Sequence, residues 1–450
     1  MKLLSEFKPV SAKEWEEKIL KDLKLISIDE LITHTSEGID ICPFYNKEHI
    51  SNLNIHPYFN HIDWEITQFI PTQHHTEREI NEHIVKSLNG GSSGIHIDFY
   101  TKFDFDEIFT NISLPHIYSN FNISFDAIDI LNNLKEIYIS VNEFTKKKNS
   151  FINIDPIYLY EKFGEWHENK NSDFEVLNEL NHIPVNAVLY KESGANVVQE
   201  LAYTLAHLNE YLFYLDNKKI LSKYKDVHIQ VSIGNSYFKE ISKLRALRSL
   251  VNHLLNEYHH TANIHIHAQT TLLNKSFKDI YNNTIRTTTE AMSAIFGGAN
   301  SISILPFDYP FKKVSDFSLR MARNQLIMMK EESYLNKTAE TTLGNYFVEK
   351  FTQELIEKSY QKFLDIEKQN GLITLLEQNI IQQETQKSYE IELQKYINNQ
   401  SVLIGVNKYP NPKDENIEKF YYQTSFDSTK TNAFIPKRFA EYFEKQIQQV

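Results

Sequence analysis

Ile183-Pro184-Val185-Asn186-Ala187-Val188-Leu189-Tyr190 is a short apolar run that Glu192-Ser193-Gly194 interrupts, after which Val198, Leu201, Ala202, Leu205, Leu208 and Leu212 recur at three- and four-residue spacing. The first run suits a strand, and the second a helix with one buried stripe and Asn196 as its N-cap. A strand followed by a returning helix is the unit of a parallel sheet. The unit recurs downstream. His228 to Ile233 reads as a strand and Gly234-Asn235 as a turn, and a helix begins near Tyr237 with Ile241, Leu244, Leu247 and Val251 on its buried side. Ile264 to Ala268 alternate as another strand, a helix is predicted from about Phe277 through Ile295, Gly297-Gly298 ends it, and Ser301 to Leu305 opens the next strand. Three consecutive units predict a closed α/β barrel in preference to a doubly wound open sheet, because no Gly-x-Gly-x-x-Gly phosphate loop opens any of these helices.

Further along, Phe347, Phe351, Leu355, Ile356, Tyr360, Phe363 and Leu364 form the stripe of a long amphipathic helix, which Asn370-Gly371 is suited to end. It is expected to cover the barrel exterior. Before the barrel, a helix around Trp15 to Leu23 precedes a loop-rich arm from Thr33 to Tyr58 that cannot form a core alone. The expected organisation is an N-terminal extended arm over 1–62, a barrel over 63–409 and a short C-terminal tail over 410–450, closing in a helix from Arg438 to Gln449.

Composition narrows the function. With 41% hydrophobic residues, 29 Phe and 25 Tyr in 450 residues, the chain has enough apolar surface to offset the entropy lost on folding. A net charge of −12 opposes binding to phosphate polymers, so nucleic acid is not an expected partner. No apolar run is long enough for a signal peptide or a membrane helix. The single cysteine, Cys42, excludes an intramolecular disulfide framework and any multi-cysteine metal site. A cytosolic protein is expected.

Reactive side chains offer no self-sufficient motif. His259, His260, His265 and His267 crowd together, but no Asp, Glu or Cys stands at a spacing that completes a metal-ligand set. Neither a Gly-x-Ser-x-Gly elbow nor a flanked catalytic cysteine occurs. Glu331-Glu332 suits a solvated helix face, and Arg320 and Arg323, three apart, suit structural ion pairs.

Several collinear segments supply what periodicity cannot. They are Thr35-Ser36-Glu37-Gly38-Ile39, Trp64-Glu65-Ile66-Thr67-Gln68-Phe69, the run from Ile233-Gly234-Asn235-Ser236 through Arg245-Ala246-Leu247-Arg248, and Tyr281-Asn282-Asn283-Thr284-Ile285-Arg286-Thr287-Thr288. Glu290-Ala291-Met292, Phe296-Gly297-Gly298-Ala299-Asn300-Ser301, Arg323-Asn324, Glu331-Glu332-Ser333 and Gly405-Val406-Asn407-Lys408-Tyr409 follow in order. Together they resemble the adenosylcobalamin-using acyl-CoA mutases, in particular the methylmalonyl-CoA mutases. The resemblance implies a (β/α)8 TIM barrel that carries acyl-CoA. In catalytic chains of the family a flavodoxin-like domain with an Asp-x-His-x-x-Gly signature follows and binds cobalamin; that run is absent from this sequence, which is therefore expected to lack the domain.

Departures inside the barrel bear on activity. The family's Arg-Gln-Tyr run corresponds to Thr67-Gln68-Phe69, its Tyr-His pair falls on Val188 and Leu189, and in Gly-Gly-x-Gln-Ser-Leu-His the Gln and His become Asn300 and Ser303. Losing one donor aimed at developing charge typically slows a reaction ~100- to 1000-fold, and several losses compound. The resemblance thus implies no catalytic residues and no metal or cofactor site in this chain, with Gln68, Glu192, Arg286 and Asn300 as residual acyl-CoA contacts. It is similar to the small, beta-type subunits of heterodimeric mutases, whose partner is a large catalytic subunit holding adenosylcobalamin and interconverting (R)-methylmalonyl-CoA and succinyl-CoA. Two alternatives stay open: a catalytic barrel using a separately encoded cobalamin-binding subunit, and an acyl-CoA-binding regulator.

Overall fold

A computed structural model describes residues 10–140, 150–309, 311–412 and 432–447. The first nine residues of the expected arm and most of the expected tail lie outside the described residues.

Eight strands form one all-parallel sheet: β1 (Glu65–Ile70), β2 (Gly94–Phe99), β3 (Tyr118–Ile123), β4 (Ser150–Asn153), β5 (Ile183–Asn186), β6 (Asp226–Ile233), β7 (Asn263–Thr270) and β8 (Ser301–Ser303). The hydrogen-bonded order is β4-β3-β2-β1-β8-β7-β6-β5, with β1 pairing to both β2 and β8. This is the (β/α)8 barrel, closed everywhere but between β4 and β5. Side chains bridge that seam. Asp155 accepts the Asn186 amide at 2.6 Å, the Tyr211 hydroxyl at 2.5 Å and His207 Nε2 at 2.9 Å, while His182 Nε2 lies 3.0 Å from Asn153 Oδ1.

The helix Val197–Asn217 starts at Asn196, whose side chain accepts the Gln199 amide in a capping box. Tyr237–Glu257 follows β6 as expected. Other boundaries move. The strand predicted through Tyr190 stops at Asn186: Ala187 leaves the extended region (φ −92°, ψ 9°), and Val188–Glu192 turns into a short helix. An apolar run buried on all sides has no periodicity to separate the two states. The helix expected from Phe277 begins at Asn282, because residues 276–281 are folded back as a loop that Asn283 holds through the Ser276 amide (3.2 Å) and carbonyl (2.8 Å). The strand predicted as Ser301 to Leu305 is hydrogen-bonded only through Ser303.

The long helix, Tyr346–Lys368, covers the outer surfaces of Val197–Asn217 and Tyr237–Glu257. Asn370, left-handed at φ 72°, separates it from the next helix, Gly371–Glu377. The arm is partly docked. Tyr58 donates its amide to Glu340 at 2.7 Å and sets its ring 4.5 Å from the Arg245 guanidinium. By contrast the first helix, Ala12–Leu23, buries no residue.

Candidate functional site

In barrels of this kind ligands sit at the C-terminal ends of the strands, where side chains from several strands converge. Here a cavity of about 120 Å³ lies at that mouth, lined among others by Phe69, Asp98, Tyr100, Lys162, Leu189 and Glu192. Ligand pockets for drug-sized molecules run to about 300–1,000 Å³. The enclosed part of the mouth is therefore small.

Below the cavity the bore is filled. Asn120 and Asn122 on β3 donate across it to Gln230 Oε1 on β6, at 3.2 and 3.1 Å. His96 on β2 meets His267 on β7 edge to face at 4.8 Å, and Phe151 on β4 stacks on His228 of β6 at 4.2 Å. Tyr118 and Ser301, from β3 and β8, share a hydrogen bond of 3.0 Å. Each contact joins strands that are not neighbours, so together they obstruct the lumen. Burial pushes His182 down to about 3 and drives His228 and His267 well below the usual imidazole range; these rings are held neutral.

The four polar candidates do not converge. Glu192 alone lines the cavity; it accepts the Ser232 hydroxyl at 2.5 Å and the Leu272 amide at 3.0 Å, and burial raises its carboxyl against those hydrogen bonds. Gln68 stands on the opposite side of β1 from Phe69, with Nε2 on the Phe69 carbonyl at 3.3 Å. Arg286 is spent on Asn283 and on the Ile404 carbonyl, both at 2.7 Å. Asn300 precedes β8 at the other end of the barrel, where Oδ1 accepts Arg248 at 3.0 Å and the Ile266 amide at 2.9 Å. The positions that departed from the family pattern do meet: Phe69, Val188 and Leu189 all line the mouth. Ser303 lies deeper, bonded to Thr67 at 3.1 Å.

Sequence reasoning passed over a polar group at the same mouth. Asp98, near the end of β2, accepts Asn122 Nδ2 at 2.7 Å and lies 3.3 Å from His96; burial raises its carboxyl, but His96, Asn122 and the Lys162 charge carry it below the ordinary value. Lys162, on the helix Pro156–Phe163, sets Nζ 3.4 Å from the centroid of Tyr100, and burial lowers its amine to about 8 against the pull of Asp98. The Tyr100 and Tyr158 hydroxyls are 2.9 Å apart. Strand-end position was the signal that could have found them.

Among the described residues no three His, Cys, Asp or Glu side chains are grouped to hold a metal ion, and no helix is long and apolar enough to cross a membrane. His265 and His267 face the bore among Phe151, His228 and His96. A cobalamin corrin is far larger than this mouth cavity.

A (β/α)8 barrel with a narrow, largely apolar mouth is thus the class of structure. The family model described as methylmalonyl-CoA mutase matches residues 104–434. The methylmalonyl-CoA mutase small subunit of Porphyromonas gingivalis is 32% identical over 91% of this chain and 71% of its own length. The methylmalonyl-CoA mutase of Cereibacter sphaeroides is 25% identical over 90% of this chain and 65% of its own, and the human mitochondrial methylmalonyl-CoA mutase 24% over 93% and 63%. This chain belongs to the methylmalonyl-CoA mutase family. It spans less than two thirds of the length of the latter two relatives.

Proposed function

We propose that this chain is a non-catalytic structural subunit of a methylmalonyl-CoA mutase, supporting a large catalytic subunit that interconverts (R)-methylmalonyl-CoA and succinyl-CoA by a radical mechanism. The observation that carries the reading is the mouth itself, where Phe69, Val188 and Leu189 supply no hydrogen bond to a thioester or a carboxylate. The obstructed bore supports it, since transverse contacts such as Asn120 to Gln230 leave no path for the long arm of an acyl-CoA. Adenosylcobalamin belongs to the partner in this reading. Of Gln68, Glu192, Arg286 and Asn300, Glu192 alone lines the mouth, where Asp98 and Lys162 stand beside it. The N-terminal arm forms the partner contact, because Ala12–Leu23 has no fully buried residue and Val10, Leu23 and Ile26 stand exposed on and beside it. The lone Cys42 fits a reducing, cytoplasmic setting.

The test mixes the purified chain with the large subunit and, separately, with an isolated cobalamin-binding domain, and assays mutase turnover. Turnover is expected only with the large subunit. Turnover with the cobalamin-binding domain alone would make this barrel a catalyst and end the reading.

A further inference from the structure

Residues 433–437 form a partition beside the mouth. The Phe434 amide donates to the Glu161 carbonyl at 2.7 Å, and the Lys437 amide to the Glu192 carbonyl at 2.8 Å. Pro436 lines the mouth cavity, whereas Ala433, Phe434, Ile435 and Lys437 line a second, larger space. That space is an open groove of about 660 Å³, walled on its other side by the first turns of the helix Ile380–Ile397. Unlike the mouth, it has the volume of a ligand pocket, ~300–1,000 Å³.

Along the groove Ser193 Oγ, Asn379 Oδ1 and Gln382 Oε1 have no hydrogen-bond partner, and Ser193 is only 3% exposed. The Gln382 amide is fixed in orientation, because its Nε2 donates to the Leu376 carbonyl at 3.1 Å and to the Asn432 carbonyl at 2.9 Å. Its oxygen therefore lacks a donor. Buried polar atoms are nearly always bonded, so this set points to a ligand that supplies the missing bonds. The charges nearby call for no counter-ion. Glu390 accepts the Gln386 amide, Lys437 lies 4.8 Å from the Tyr389 ring centre and faces Glu390 and Glu441, and Lys387 is exposed to solvent at the rim. A neutral ligand rich in hydroxyls fits, since a hydroxyl donates to a carbonyl oxygen and also accepts from a serine. Ala433, Phe434 and Ile435 give the C–H face of a ring an apolar wall.

We propose that this groove is a binding site for a neutral sugar of disaccharide size, whose hydroxyls donate to Asn379 Oδ1 and Gln382 Oε1 and meet Ser193 Oγ. The inference does not depend on the subunit reading, since the groove lies outside the mouth.

The experiment titrates the full chain with maltose and follows saturation transfer from protein to sugar protons by NMR. Triethylene glycol dimethyl ether, which has hydrogen-bond acceptors and no donors, is titrated in parallel. Maltose is expected to saturate one site with a dissociation constant of about 1 mM, and the ether to show no saturable transfer. Ser193→Ala and Asn379→Gly each remove one bonding atom and are expected to weaken maltose about 5-fold, the factor that one net hydrogen bond supplies. Glycine also suits the left-handed backbone at 379, where φ is 64°. Lys18→Ala, on the arm, leaves maltose binding unchanged. The wild-type contrast between maltose and the ether decides the matter even where a variant fails to fold. Absence of saturable transfer to maltose up to about 20 mM, equal transfer to the ether, or full maltose affinity in both folded groove variants would overturn the proposal.

Discussion

Arg245 is fully buried, its guanidinium meeting Glu340 at 2.5 Å and Glu349 at 2.7 Å, whereas the half-buried Arg286 bonds Asn283 and a backbone carbonyl. Removing one member of a buried ion cluster strands the others without a counter-charge, at a cost of about 3–5 kcal/mol. Arg245→Ala is therefore expected to lower the unfolding free energy by that amount in urea titration, and Arg286→Ala by ~1 kcal/mol. Equal effects would show that the buried cluster contributes nothing special. Nothing local in the sequence separates these two arginines, since Glu340 and Glu349 stand roughly a hundred residues from Arg245, and Ile404 is as far from Arg286. Separations of 52 and 34 residues from Arg248 and Ile266 likewise hid the structural duty of Asn300. Val188 and Leu189, by contrast, were legible as site positions through the Lys191-Glu192-Ser193-Gly194-Ala195 motif beside them, even though their secondary structure was misread.

At the scale of elements, the strand interiors form a layer of neutral imidazoles. For His182, His228 and His267 the folded values lie below the unfolded 6.5, so the unfolded chain binds more protons below that pH. Their contribution to stability is complete above pH 6.5 and is lost as pH falls toward the folded values. Between pH 7 and pH 5.5 the three together are expected to remove about 4 kcal/mol, read as a drop in the urea midpoint. An unchanged midpoint would mean that the bore rehydrates without loss. The arm gives a second prediction. Because Ala12–Leu23 has no fully buried residue, deleting residues 1–31 should leave the unfolding free energy of the isolated chain in urea within about 0.5 kcal/mol of the intact one while abolishing co-elution with the large subunit. A truncated chain that still assembles would move the interface elsewhere. Helix caps such as Asn196 were readable because their hydrogen bonds are local. The loop over 276–281 was not, because it depends on Asn283 and on Glu444, which accepts the Ser276 hydroxyl at 3.0 Å.

Over the whole molecule, three strand and helix units beginning at Ile183 were enough to point to a barrel, and five further strands complete it. The early strands were harder to see. Tyr118–Ile123 carries the buried Asn120 and Asn122 among its apolar residues, and polar residues turned into a bore do not read as a buried strand. That polar lining is also what obstructs the lumen, so the feature least visible in sequence bears most on function. The most direct measurement is the number of acyl-CoA molecules bound by the assembled heterodimer at saturation, by equilibrium dialysis. One per heterodimer is predicted, seated in the large subunit; two would place an acyl-CoA in this barrel and contradict the account.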